Sequence, residues 1–379
     1  MQFLVSAGEA SGDMYAAGVV EHLRQRLPTA QFFGCAGAKL QAEGVEPVVD
    51  AADLSVVGLA EVVHHLPRIY REYRKLVAAA RERRPRAALL TDNPDFHLRL
   101  ARRLKETGTP VFYLVAPQAW AWRAGRAKTM RALVDKLFCL FPFEEAWFRE
   151  RGVDATYIGH PLAARARVRQ SRDEFLDRYG LPKGRRVLVL LPGSRPGEAR
   201  RHLGTVLEAA AALRRKFDLS VVLATPGGFR ERGVLQTFRE PIEAESIQII
   251  ENDTWDAIGH ADLALAASGT VTIEAAVLGT PMVTYYKVTP LSWYAGRRLV
   301  KVPFLSMVNL VAGRKIVPEL MQREMTAARL VEEASKLLAD EMRADSMRKD
   351  LAEVRTALTR GGDPLEQVAA AVAGLVGGQ

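Results

Sequence analysis

A short polar turn, Ser268-Gly269-Thr270, followed by Glu274 is the strongest candidate for chemistry in this chain. An apolar strand, Leu263–Ala267, leads into the turn, and an apolar run that reads as a helix, Val271–Leu278, leads out of it. Such a turn leaves backbone N–H groups open and aims the positive end of a helix dipole at whatever lies above it, which is the chemistry of phosphate binding. Glu274 stands four residues after Thr270, so one helical turn brings it to the same face. A carboxylate there can accept two hydrogen bonds from a ribose diol. With Thr270 as N-cap, a capping-box glutamate would stand at 273, which is Ile273. An ordinary Rossmann-type turn without a ligand stays open as the plainer reading.

Other candidates follow the same rule of position. The strand Arg186–Leu191 runs into a glycine-rich loop, residues 192–197, which holds Ser194 and Arg195. It lacks the G-K-[ST] ending of an ATPase loop, and Arg195 is a bidentate donor suited to a phosphate. Phe3–Ser6 runs into a small-residue loop, residues 7–13, with Glu9, Ser11 and Asp13 and without G-x-G-x-x-G spacing. Asp92 closes the strand Ala87–Thr91, and Asp95 is placed to cap a helix beginning near Phe96. His160 follows another strand, where a hydrogen-bonded structural role is equally open. Asn309 either meets a nucleotide or closes a turn.

These residues need elements to carry them. Strands are expected at 3–6, 31–36, 87–91, 111–115, 136–140 and 155–158, then at 186–191, 219–224, 247–250, 263–267 and 282–286, with helices between them. Helices are expected at 14–27, at 123–134, from Pro67 with proline in the first turn, and over most of the chain after Pro318. The rhythm is α/β, read as two Rossmann-like doubly wound domains facing a cleft. The charged, weakly periodic stretch 164–184 reads as the passage between them. Ligands are expected at the carboxyl ends of the strands.

The chain has 379 residues, 48% of them hydrophobic, with 53 Lys and Arg against 44 Asp and Glu, a formal +9. That balance favours acidic partners: phosphorylated substrates, an anionic membrane surface, or nucleic acid, which ranks last because no nucleic-acid-binding motif is present. Two cysteines in strand-like contexts suggest a reduced, cytosolic protein. The N-terminus lacks a basic n-region and reads as no signal peptide, no run reaches a membrane span, and nothing resembles a metal cluster. Residues 54–66 are unusually apolar, with Val56, Val57 and Leu59. Arg68, Arg71, Arg74, Lys75, Arg81, Arg83 and Arg84 follow on a helix with an apolar stripe. A helix packed on a sheet and a lipid-facing helix are both open.

Motifs spread over nearly the whole chain resemble the lipid-A-disaccharide synthase family, glycosyltransferases of two-Rossmann-domain (GT-B) architecture. They are SAGEASGD (6–13), TDNPDF (91–96), APQAWAWR (116–123), FPFE (141–144), IGHPL (158–162), LPGSR (191–195), ASGTVTIE (267–274), PMVTYY (281–286) and VNLVAGR (308–314). The resemblance implies an inverting transfer. UDP-2,3-diacylglucosamine donates its sugar to the 6-hydroxyl of 2,3-diacylglucosamine 1-phosphate, giving a tetraacyl disaccharide 1-phosphate and UDP. It implies no cofactor and no essential metal. Residues 1–164 would form an acceptor and lipid domain with Glu9, Ser11, Asp13, Val56, Val57 and Leu59. Residues 165–345 would bind the donor through Ser194, Arg195, Ser268, Gly269, Thr270, Glu274 and Asn309, and 346–379 would pack back on the first domain. Asp92 would be the general base, with Glu9 and Asp13 as rivals, and Arg195 would stabilise the departing diphosphate. The setting would be the cytoplasmic surface of the inner membrane, with a homodimer allowed. Another UDP-sugar enzyme, such as a 2-epimerase, or a non-catalytic lipid- or nucleotide-binding protein are the alternatives.

Overall fold

Short aliphatic runs bounded by turn residues become strands buried on both faces, as a parallel sheet covered by helices requires. The computed structural model describes residues 1–53, 59–290, 293–294, 300, 302–359 and 361–377. The chain divides into two units, Met1–Pro161 with Arg360–Gln379, and Leu162–Thr359.

The first unit holds β1 (Gln2–Ala7), β2 (Gln31–Ala36), β3 (Glu46–Asp50), β4 (Ala87–Thr91), β5 (Val111–Leu114), β6 (Lys136–Cys139) and β7 (Ala155–Tyr157). They pair in parallel in the order β3-β2-β1-β4-β5-β6-β7. Side chains alternate between two buried layers. Leu4, Phe33, Leu90 and Tyr113 face one, against Leu76, Leu100 and Met130. Phe3, Val5, Phe32, Leu89 and Phe112 face the other, against Val19 and Leu23. The last helix, Pro364–Gly377, completes that second layer with Leu365, Val368, Ala369 and Val372, and Glu366 pairs with Arg26 at 2.9 Å.

The second unit holds β8 (Arg186–Leu191), β9 (Leu219–Thr225), β10 (Gln248–Glu251), β11 (Leu263–Ala267), β12 (Met282–Tyr286) and β13 (Glu319–Met321). Their order is β10-β9-β8-β11-β12-β13, again parallel. Each sheet therefore reverses its winding once, between β1 and β4 and between β8 and β11. Ligands of doubly wound folds sit outside the strand ends at that switch point. In the first unit the pairs Ser6 with Leu90 and Ala7 with Thr91 bring residues 8–13 beside Asp92.

Several sequence expectations need correction. The first helix is Ala10–Arg26, so Ser11 and Asp13 lie in its opening turn and not in a loop. The helix expected to start at Pro67 is Leu59–Arg83, with Pro67 inside it and exposed. An interior proline removes one ladder hydrogen bond, a loss that water can compensate at an exposed position. The basic helix begins at Arg126, after a single turn at Ala119–Trp122. The strands β3 and β13 were not expected. The passage 164–184 contains a helix, Arg172–Arg178, started by a Ser171–Glu174 capping box. The expected boundary at 345 falls inside the helix Glu341–Leu358, which continues because Ala344, Met347, Leu351, Val354 and Leu358 form a buried stripe of their own.

Candidate functional site

In the first unit the chain leaves β4 through Asp92 and Asn93, both with left-handed backbone (φ 57° and 33°), before the helix Pro94–Glu106 begins. The Asp92 carboxylate turns toward the end of β1. Its Oδ1 accepts the Gly8 N–H at 2.9 Å and its Oδ2 accepts the Glu9 N–H at 3.1 Å. Glycine at 12 makes this approach feasible, since a Cβ there would stand 1.7 Å from Asp92 Oδ2. Burial pushes the carboxyl up to about 8, and the nearby Glu9 and Asp13 charges add to the rise. The two N–H donors oppose it. A carboxyl raised to this degree is a stronger base than an ordinary carboxylate.

The rivals have other tasks. Asp13 is buried and accepts N–H groups of Gly37 (2.8 Å), Lys39 (2.9 Å) and Leu40 (3.4 Å), closing the start of the helix Ala38–Ala42. Those bonds give Asp13 a structural task at that helix start. Glu9 and Ser11 are exposed at the head of the first helix. Asp95 is not a cap: Asn93 occupies the N-cap position, and Asp95 pairs with Arg123 (3.1 Å) and Arg126 (2.5 Å). His160 is buried, beside Tyr15 and Phe141. Burial pushes its imidazole down to about 4, so it is neutral. Val56 and Val57 lie outside the described residues, as does the side chain of Leu59.

In the second unit a pocket of about 480 Å³ opens at the carboxyl ends of β8 to β11. Gly193 and Ser194 line it from the loop after β8 and Glu198 from the first turn of the helix Pro196–Lys216, Gly227 from the loop after β9, Trp255 from the helix Thr254–Gly259, and Ser268 and Gly269 with Thr270, Val271 and Glu274 from the turn and helix after β11. Its size falls in the range of small-molecule sites. The helix Thr270–Leu278 has no side-chain cap, and the N–H groups of Thr270 and Val271 have no acceptor among the described residues. The Ser268 N–H is already given to Tyr285 O at 2.8 Å, so it is not among the open donors. Glu274 is pushed up to about 7 by burial, with the Trp255 indole N–H pulling the other way.

Two expected contacts are not brought into this pocket. Asn309 is fully buried. Its Oδ1 accepts the N–H groups of Ile316 (2.8 Å) and Val317 (3.0 Å), and its Nδ2 donates to Val317 O (3.0 Å) and Glu319 (2.7 Å). It closes the turn into β13, with no hydrogen-bonding capacity left for a nucleotide. Arg195 is exposed, 3.3 Å from Glu198, and does not line the pocket, though its neighbour Ser194 does. His202 ties this region together: its Nδ1–H donates to Pro192 O at 2.9 Å, and its Nε2 accepts the Lys287 N–H at 3.1 Å. Sequence reasoning missed Trp255, Arg169 and Glu198, which arrive from separate segments of the chain. The positions of Glu198 and Trp255 just after strand–loop units are the signal that could have found them.

The lipid-A-disaccharide synthetase family model matches residues 3–371. The chain belongs to the lipid-A-disaccharide synthase family. The lipid-A-disaccharide synthase of Solibacter usitatus is 55% identical over 94% of this chain and 93% of its own length. That of Geobacter sulfurreducens is 38% identical over 100% and 98%. Among solved structures, UDP-GlcNAc 2-epimerase from Neisseria meningitidis bound to UDP-GlcNAc aligns with TM-score 0.64 at 13% identity, covering 94% of this chain and 97% of that one. A glycosyltransferase from Rickettsia africae aligns at 0.58 and 12%, covering 98% of both. At those identities the likeness shows the fold, two Rossmann-like domains of the GT-B type. As a member of the lipid-A-disaccharide synthase family the chain is a glycosyltransferase, a hexosyltransferase of lipid A biosynthesis.

Proposed function

We propose that this chain joins UDP-2,3-diacylglucosamine to the 6-hydroxyl of 2,3-diacylglucosamine 1-phosphate by a single inverting displacement. The donor lies on the second unit and the acceptor on the first. The observation that carries the reading is the pocket where Glu274 and the open N–H groups of Thr270 and Val271 share one face. Glu274 takes the ribose diol, and the helix start takes the diphosphate. Arg195, swung from Glu198, stabilises the charge that grows as UDP leaves. Asp92 accepts the proton of the 6-hydroxyl as the bond to the anomeric carbon forms.

The setting we propose is the cytoplasmic surface of the inner membrane. Among the described residues no helix is long and apolar enough to cross a membrane. The helix Leu59–Arg83 exposes Leu66 and Tyr70 beside Arg71 and Arg74, which supports an attachment combining apolar contact with attraction to anionic lipid.

Acceptor-dependent release of UDP from purified protein tests the reading. A transferase releases UDP only with both diacylated substrates present. Interconversion of UDP-sugars without an acceptor would mark an epimerase, and UDP binding with no release would mark a binding protein.

A further inference from the structure

A non-glycine residue with left-handed backbone is disfavoured because its Cβ crowds the following carbonyl, so the surroundings must hold it there. At Asp92 the hold is on the backbone carbonyl, separate from the bonds to its carboxylate. The Tyr113 hydroxyl, from β5, donates to Asp92 O. His97, one turn into the following helix, places Nδ1 2.9 Å from the same oxygen. A carbonyl only accepts, so Nδ1 carries the proton and Nε2 is an acceptor. The Ser6 hydroxyl, on β1 at 2.8 Å, is therefore the donor to Nε2. Ser6, His97 and Tyr113 are all fully buried. Burial pushes the imidazole down to about 4, so the ring stays neutral and this tautomer persists.

We propose that Ser6, His97 and Tyr113 are positioning residues that lock the Asp92 backbone, and through it the direction of the Asp92 carboxylate, for proton transfer. This inference rests on the reading of Asp92 as the base. Ser6 comes from β1, Tyr113 from β5 and His97 from the helix that follows β4, so the lock forms only when β1, β4 and β5 are in register. The arrangement explains why a hydroxyl and an imidazole are buried here without touching the carboxylate they serve. It also separates two tasks: the N–H groups of Gly8 and Glu9 hold the oxygens, while His97 and Tyr113 hold the peptide.

The test is a set of single variants crossed with Asp92→Asn, assayed by acceptor-dependent UDP release. A misplacement near 1 Å costs up to about 10²-fold in rate. His97→Leu and Tyr113→Phe should therefore each lower kcat by roughly 10- to 100-fold, with donor KM within about twofold. His97→Asn, whose amide N–H stands near the Nδ1 position, should keep at least about a third of wild-type kcat. With donor saturating, the acidic limb of kcat/KM for the acceptor should move to lower pH in His97→Leu, as the carboxyl slips from its buried pose. The groups bearing on that limb are Glu9 and Asp13 beside the Asp92 carboxyl, and Asp95 and Arg126 beside Tyr113. In the Asp92→Asn background the same substitutions should change kcat less than about twofold, since no base remains to be aimed.

Losses that multiply in that background would overturn the proposal. So would wild-type kcat in both His97→Leu and Tyr113→Phe while Asp92→Asn is inactive. Full activity in Asp92→Asn would overturn the base reading itself, and the positioning role with it. Should His97→Leu fail to fold, Tyr113→Phe, which removes one oxygen, carries the same expectations.

Discussion

Replacing Glu274 by glutamine examines the donor site at one atom. The carboxyl is pushed up to about 7 by burial in the pocket, so near neutral pH it lies at the midpoint of its titration. As a carboxylate it accepts two charge-assisted hydrogen bonds from a ribose diol. Such bonds contribute about 1.5–3 kcal/mol each against about 0.5–1.5 for neutral ones. Glu274→Gln should then cost roughly 2–3 kcal/mol of affinity, about 30- to 150-fold in Kd. The sign with pH follows from the same carboxyl: protonation below its pKa removes the charge, so affinity rises as pH rises. Between pH 6 and pH 8 the ionised fraction grows about tenfold, and affinity should grow with it. Uridine is the probe of choice, because it carries the diol and has no phosphate titrating in that window. Isothermal calorimetry of uridine at pH 6, 7 and 8, on wild type and Glu274→Gln, gives both readings. Equal affinity across that range in the wild type, or an unchanged Kd in the variant, would refute the ribose assignment.

Arg195→Ala should lower kcat more than it weakens UDP, because the guanidinium rests on Glu198 in the free protein and is called on as charge develops; equal losses in both would place it in ground-state binding. Gly12→Ala should lower turnover by at least about tenfold while leaving UDP binding to the second unit within about twofold, since the new Cβ would stand 1.7 Å from Asp92 Oδ2 and drive the carboxylate off the Glu9 N–H; normal turnover would show that the Asp92 pose is not needed. Polar substitution at Val56, Val57 and Leu59 should reduce sedimentation with anionic vesicles and leave UDP binding intact, and wild-type attachment should weaken with salt as exposed charges are screened over about 10 Å at 0.1 M. Unfolding of that triple variant would identify the three as core.

The parts of this molecule that were legible in the sequence are those fixed by local pattern. The strands β2, β4, β8, β11 and β12 match their expected bounds because each is a short, mostly apolar run buried on both faces between turn residues. The edge strands β3 and β13 escaped because exposure on one side dilutes the pattern, and Pro47 lies within one of them, as an edge permits. Glu274 could be assigned to the same face as the turn because the spacing is helical and close in sequence. The structural task of Asp13 could not be read, since the N–H groups it accepts are 24 to 27 residues away. Asn309 carried both of its meanings in one residue type, and only its four backbone and side-chain partners decided between them. His97 and Tyr113 gave no local signal: a histidine inside an amphipathic helix and a tyrosine in a strand both read as core until the fold brings them to one carbonyl.

The pH–rate profile of wild type beside Asp92→Asn tests the central claim most directly. A base must be deprotonated to act, and this carboxyl is raised to about 8 in the free protein. With donor saturating, wild-type kcat/KM for the acceptor should therefore climb about tenfold per pH unit below that value and level off above it. Asp92→Asn should lose roughly 10²–10⁴ in turnover, with near-normal donor binding and no such limb. A variant that retained more than about a tenth of wild-type turnover, or one that kept the same acidic limb, would contradict the account and move the role to the neighbouring Glu9.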